Sequence, residues 1–272
     1  MIKLLCLDID GTILNSRKEL TEGIKNAVDY AKGQGVKVFL ASGRSLPGLK
    51  DILEELDITG NCICMSGALI LAGGKEIERN GLDGKHLDIL VDCAQKYDSQ
   101  LFLTGMDFNL TNRELLGHLA DEVGKGSLRG DYIIRTDWRS FRDEVARYRA
   151  QVLKAAMKQT EEDNFRKMKE ELLSLGLFHV VKSDTNFVDI NPVGCNKGKA
   201  VETLARYYGF GMENVMCIGD NENDVEMVGR AGYGVAMGNA EECVRKVARY
   251  VTESNDEDGA AKAVFRLIGK GE

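Results

Sequence analysis

Apolar positions along the chain fall first into a short continuous run, then into a helical period, and this alternation repeats. Ile2 to Ile9 is short and mostly apolar, the pattern of a buried strand in a parallel sheet. Thr21 then caps a helix in which Ile24, Ala27, Val28 and Ala31 fall at i, i+3, i+4 and i+7, with Gly33 and Gly35 ending it. Val36 to Ala41 reads as a second strand that stops at Ser42-Gly43-Arg44. A second helix, from about Pro47 to Leu56, puts Leu49, Ile52, Leu53 and Leu56 on one face. Asn61 to Met65 is a third strand closed by Ser66-Gly67-Ala68, and Leu69 to Glu78 reads as a hairpin turning at Gly73-Gly74. Strand, helix, strand, helix, strand implies right-handed parallel crossovers.

From about Asp83 the rhythm changes. A helix bearing Leu87, Leu90, Val91 and Ala94 leads into two short strands, Gln100 to Thr104 and Asp107 to Leu110, and a helix is expected from Asn112. Arg129 to Arg149 is basic, reads as irregular, and contains the single tryptophan, Trp138. A strand near Val152 to Lys158 follows, then a helix with Phe165, Met168, Leu172 and Leu173, and strands at Leu177 to Lys182 and Phe187 to Ile190. This is an α+β module, not a continuation of the parallel sheet.

At Asn191-Pro192-Val193-Gly194 the first rhythm resumes. Asn196-Lys197-Gly198 opens a helix, Val215 to Gly219 is a strand, and strands at Gly232 to Met237 and Tyr250-Val251 alternate with helices at Val225 to Arg230, from Ala240 and from Asp258. The fold class is therefore α/β, a doubly wound parallel-sheet core with an inserted α+β domain: 1–82 and 191–272 form the core and 83–190 the insert.

Composition narrows the options. A chain of 272 residues with 43% hydrophobic positions has ample core for this plan, and 30 Gly against 2 Pro fits many tight turns. The net charge of −7, spread over both parts, argues against a nucleic-acid or anionic-membrane partner. Seven cysteines lie mostly in apolar runs, as free buried thiols of a reducing compartment do. Cys62-x-Cys64 has no second pair at metal-ligand spacing. The N-terminal run is short and ends at Asp8, so no signal peptide is expected, and no run reaches membrane-spanning length. A cytoplasmic location is the expectation.

The first strand ends in Asp8-Ile9-Asp10-Gly11-Thr12. Residues i and i+2 of an extended chain share a side, so Asp8 and Asp10 begin on one face, and like charges that close need a cation or a proton between them. The stretch reads either as a divalent-metal site with a free nucleophilic carboxylate or as a solvated turn. Three further polar groups lie at strand ends or at a helix start: Ser42, Lys197, and Asp220/Asn223/Asp224. Ligands of open parallel sheets bind at the carboxyl ends of the strands, so convergence on one rim favours the metal and phosphate reading.

Together, Asp8-Ile9-Asp10-Gly11-Thr12, Ser42-Gly43-Arg44, Asn196-Lys197-Gly198 and Gly219-Asp220-Asn221-Glu222-Asn223-Asp224 resemble the four motifs of the haloacid-dehalogenase-like (HAD) hydrolase superfamily, most closely its Cof-type phosphatase branch. Asn255 to Gly259 is similar to that branch's late Ser-Asn-x-x-Asp-Gly element. Ser66 stands where the branch usually has Asn before Gly.

The resemblance implies a Rossmann-like core and a Mg²⁺-dependent phosphatase for small phosphorylated metabolites of the sugar-phosphate or nucleotide-like cofactor kind. It implies Asp8 as the nucleophile that becomes an aspartyl-phosphate, and Asp10 as the acid and base. The implied metal ligands are the Asp8 side chain, the Asp10 backbone carbonyl and the Asp220 side chain, with Asn223 and Asp224 orienting them. Lys197 adds positive charge, and Ser42, Gly43 and Asn223 complete a phosphate site. Arg44 is expected either to contact substrate or to hold the Ser42 loop.

The arginines at 129, 135, 139, 142, 147 and 149 read as a solvated face more readily than as an anion site. Trp138 and the histidines at 86, 118 and 179 read as structural. The stretch from Thr12 to Ser42 is too short for a lid plus a strand–helix–strand crossover, whereas Arg44 to Lys197 has room for a lid, matching a Cof-type α/β cap over the phosphate rim that excludes water and reads the leaving group. The alternatives are a phosphomutase or phosphotransferase, and a non-catalytic phosphometabolite sensor. Protein partners are not indicated.

Overall fold

The computed structural model describes residues 1–115 and 131–269. The chain forms two compact units, one comprising Met1–Ser42, Asp51–Glu78 and Asn196–Glu272, the other Gly43–Lys50 and Arg79–Cys195.

In the first unit, β1 (Leu4–Leu7) is completely buried and lies inside a sheet of order β14-β13-β12-β1-β2-β3-β4-β5 among the described residues. Its members are β2 (Lys37–Ala41), β3 (Cys62–Cys64), β4 (Leu69–Ala72), β5 (Lys75–Arg79), β12 (Val215–Gly219), β13 (Tyr233–Ala236) and β14 (Tyr250–Val251). From β14 to β3 every pairing is parallel, and β3–β4 is antiparallel. Gly73 and Gly74, at φ +56° and +75°, make the two-residue turn between β4 and β5 that the sequence predicted; paired positive φ is the twist a tight hairpin requires.

The helices form where the period placed them. In α1 (Glu22–Gly33), Thr21 accepts from the Ile24 N–H while Ile24, Ala27, Val28 and Ala31 are buried. It packs against α9 (Gly259–Ile268), while α6 (Lys197–Tyr207) packs against α7 (Val225–Arg230). The remaining helices of the described residues with ends in or next to this unit are α2 (Leu46–Glu55) and α8 (Glu242–Val247).

The second unit holds a sheet of order β10-β11-β9-β6-β7-β8, antiparallel except for the β7–β8 pair. Its strands are β6 (Gln100–Thr104), β7 (Phe108–Thr111), β8 (Asp131–Ile134), β9 (Lys154–Lys158), β10 (Phe178–Asp184) and β11 (Phe187–Pro192). The helices α3 (Gly84–Lys96), α4 (Trp138–Tyr148) and α5 (Glu162–Ser174) supply Leu87, Leu90, Phe141, Met168 and Leu172 to a core shared with Leu101, Met157 and Ile190.

Two local expectations need correction. The stretch read as irregular contains β8 and α4. Asp137 caps α4 by accepting from the Ser140 N–H, and Phe141, Glu144 and Val145 face inward. The dense charge on its outer face hid a helical period carried by few apolar residues. Residues 112–115 are not helical, because Asn112 is committed to the sheet: its amide accepts from Leu101 N–H at 2.7 Å and donates to the Ser99 carbonyl at 3.0 Å. The rest of that expected helix, with His118 and Arg129, lies outside the described residues.

Candidate active site

The strand order reverses at β1: the chain runs from β1 to β2 and β3 on one side, and later places β12 and β13 on the other. Such a switch point leaves a crevice at the strands' carboxyl ends. The register pairs Leu7 with Ile218 and with Leu40, so Asp8, Asp220 and Ser42 leave their strands at one edge. The Asp8 N–H donates to the Ile218 carbonyl at 3.0 Å, tying the first acidic position to β12.

Lys197 begins α6, whose cap is Asn196 accepting from the Lys199 N–H. Its side chain is fully buried, and Nζ donates to Asp8 Oδ1 and to Asp224 Oδ1, both at 2.6 Å, and to Asn223 Oδ1 at 3.4 Å. Asp224 Oδ2 accepts from the Asp220 N–H at 3.0 Å and the Asn221 N–H at 3.1 Å, which folds the loop after β12 around one carboxylate. Asp220 Oδ1 accepts from the buried Thr12 hydroxyl at 3.0 Å. In the sequence, the only signal for Thr12 is its place two residues beyond Asp10. Gly11 has φ +83°, and a Cβ there would lie 2.3 Å from Asp220 Oδ2. The position therefore needs glycine for conformation and for space.

One carboxylate oxygen from each of Asp8, Asp220 and Asp224 lies within 4.8 Å of the others. Burial and the neighbouring Asp224 carboxylate push Asp8 well above the usual carboxylate range, against the pull of Lys197. The same two causes, in the same order, raise Asp220 to about 7. Burial disfavours the charge on Lys197, but Asp224 and Asp8 more than offset it and hold its pKa above the ordinary lysine value. Three clustered carboxylates facing one ammonium leave negative charge in excess. An all-oxygen donor set of this kind fits a hard divalent cation.

The other sequence-derived candidates are placed as follows. Asp10 is in the loop after β1, with its side chain 41% exposed and paired to Lys18 at 2.9 Å. Ser42 is buried at the end of β2; its N–H donates to the Ile63 carbonyl and its carbonyl accepts from the Ser66 N–H. Gly43 and Arg44 belong to the second unit, where the Gly43 carbonyl accepts from Lys154 Nζ at 3.0 Å and Arg44 is half-buried. Lys154 in turn pairs with Asp189 at 2.5 Å, a buried contact that nothing in the sequence pattern signalled.

The basic stretch around α4 is largely neutralised: Arg135 and Arg147 pair with Glu144, Arg142 with Asp92, and Arg149 with Asp88. All seven cysteines are free thiols, and six are buried. No helix among the described residues is long and apolar enough to cross a membrane.

A family model described as haloacid dehalogenase-like hydrolase matches residues 5–264. The chain belongs to this family. Among the hydrolase's relatives is a 5-amino-6-(5-phospho-D-ribitylamino)uracil phosphatase of Bacillus subtilis, 29% identical over 98% of this chain and 96% of the relative. A putative phosphatase of the same organism is 30% identical over 98% of this chain and 99% of its own length. A crystal structure of a haloacid dehalogenase-like hydrolase from Bacteroides thetaiotaomicron is 28% identical, covers 98% of this chain and 100% of that chain, and superposes with a TM-score of 0.83. The α/β core with an inserted domain expected from the sequence is the fold of these hydrolases.

Proposed function

We propose that this hydrolase is a Mg²⁺-dependent phosphatase that cleaves small phosphorylated metabolites through an aspartyl-phosphate on Asp8. The observation that carries the reading is the buried Lys197 ammonium held between Asp8 and Asp224, beside Asp220, at the switch point of the sheet. A nucleophilic carboxylate approaching a phosphomonoester meets nearly two negative charges and needs compensating positive charge.

Asp8 attacks phosphorus and the ester oxygen departs, taking a proton from Asp10. Asp10 then accepts a proton from the water that attacks the aspartyl-phosphate, releasing inorganic phosphate and restoring Asp8. Lys197 stays charged throughout and stabilises both Asp8 and the transferring oxygens. Asp224 holds Lys197 in place and, through two backbone N–H groups, fixes the loop that presents Asp220. The Ser42 hydroxyl and Asn223 are assigned to the phosphate. Asp8, Asp220 and the Asp10 carbonyl would hold Mg²⁺, which supplies charge neutralisation on the phosphoryl oxygens.

Relatives that are themselves named phosphatases support phosphate-ester hydrolysis, and the named ribitylaminouracil phosphate belongs on the substrate panel beside sugar phosphates and nucleotides. Phosphate release should require Mg²⁺ and vanish in Asp8→Asn with the fold intact. Undiminished Mg²⁺-dependent hydrolysis by that variant would refute the mechanism.

A further inference from the structure

The loop carrying Asp10 is anchored from a segment that lies far away in the chain. Within the loop, the N–H groups of Thr12, Ile13 and Leu14 all donate to the Ile9 carbonyl, and Leu14 bridges to Asp10 and Leu20. The outer attachments come from two asparagines and the turn at 254–258. Asn239 Nδ2 donates to the Gly11 carbonyl at 2.9 Å, and Asn239 Oδ1 accepts from the Asn255 N–H at 3.0 Å. Asn255 Nδ2 donates to the Leu14 carbonyl at 2.9 Å. Beside them the Ser16 N–H donates to Asp256 at 2.8 Å and the Thr21 hydroxyl to Asp258 at 2.5 Å. The turn bearing Asn239 reaches the 254–258 turn closely, since a Cβ on Gly238 would lie 2.6 Å from the Ser254 nitrogen.

We propose that Asn239 and Asn255 form a clamp that positions Asp10 for proton transfer. The role of Asp10 rests on the phosphatase reading; the clamp itself does not. Asn239 fixes the Gly11 carbonyl, next after Asp10 and at the glycine whose φ sets the direction of the chain, and Asn255 fixes the Leu14 carbonyl three residues further on. Asp10 is partly exposed, so packing alone does not define its place. A general acid contributes only within hydrogen-bond reach of the leaving oxygen, and a displacement of about 1 Å removes much of that contribution. Hydrogen bonds this close to the surface add little to stability, so losing one should leave the fold intact.

The test compares two esters that differ in their need for a proton. In Asn239→Ala and in Asn255→Ala, kcat/KM for a sugar phosphate should fall about 10- to 100-fold, while kcat/KM for 2,4-dinitrophenyl phosphate, which reports only formation of the aspartyl-phosphate and whose leaving group departs unprotonated, loses less than about threefold. Asn239→Asp keeps the acceptor for Asn255 but not the donor to Gly11, and should behave like Asn239→Ala. Equal losses on both esters, or none on either, overturn the positioning role. Independently of activity, amide hydrogen exchange at residues 12–16 should accelerate in both alanine variants; unchanged exchange overturns the clamp. Accelerated exchange in the variants of an enzyme inert toward every ester would instead sink the phosphatase reading and leave the clamp standing.

Discussion

Lys197 Nζ lies 2.6 Å from Asp8 Oδ1, an ion pair closed between residues 189 positions apart and almost wholly removed from solvent. Breaking it should be expensive twice over. Lys197→Met leaves Asp8 and Asp224 buried together without their shared cation, a change worth about 3–5 kcal/mol when one partner of a buried pair is removed. On the proposed mechanism it also removes charge stabilisation from the reacting phosphoryl group, for which a loss of about 10²–10³ in kcat is expected. Urea denaturation and steady-state kinetics on the same variant check both effects. A variant of normal stability would mean the two carboxylates are already protonated or solvated without Lys197.

Gly11→Ala tests the packing of the loop against Asp220. The added methyl would meet Asp220 Oδ2 at 2.3 Å, and the left-handed backbone adds about 1–2 kcal/mol of strain. Asp220 must move, so the Mg²⁺ concentration giving half-maximal activity should rise along with the fall in stability. Destabilisation with unchanged Mg²⁺ dependence would show that Asp220 is not a ligand.

Stability without metal should depend on pH in a direction set by the raised carboxyls. Asp220 at about 7, and Asp8 shifted the same way, bind protons in the folded state over a range where the unfolded chain has released them. Their contribution is therefore fully present below about pH 4 and is lost as pH rises through about 7. In chelator, the fall in Tm between pH 5 and pH 8 should be steeper for the wild type than for Asp220→Asn. Added Mg²⁺ should raise the wild-type Tm more at pH 8 than at pH 5; an equal rise at both would contradict the assignment.

In the second unit, Lys154 and Asp189 are a buried pair with side chains 10% and 8% exposed. Lys154→Met removes the cation paired with buried Asp189 and should cost about 3–5 kcal/mol, whereas Lys154→Met with Asp189→Leu should recover most of that loss. Urea denaturation of the two variants decides it. A double variant as unstable as the single one would point to the Lys154 bond to the Gly43 carbonyl as the stabilising contact.

The parallel core was legible because its strands are short apolar runs and its helices keep a clean period; β1 and α1 formed where Ile2 to Ile9 and Ile24 to Ala31 placed them. The second unit was less so. In α4 Phe141 and Val145 are buried and Trp138 and Tyr148 half-buried against the same core, but charged neighbours fill the rest of the helix, and Asn112 abandons a helix for side-chain bonds to Ser99 and Leu101. Local pattern cannot anticipate such bonds, because their partners are set by the sheet.

The sequence by itself determined the alternation of strands and helices, the family, and the residue types brought to the strand ends, since periodicity and motif spacing are local properties. Only the tertiary structure decided that Lys197 bridges Asp8 and Asp224, that Thr12 and Gly11 shape the place of Asp220, and that Asn239 and Asn255 hold the loop of Asp10. Those relationships depend on strand register and on contacts between distant segments, where a shift of an ångström separates a bonded pair from two solvated side chains.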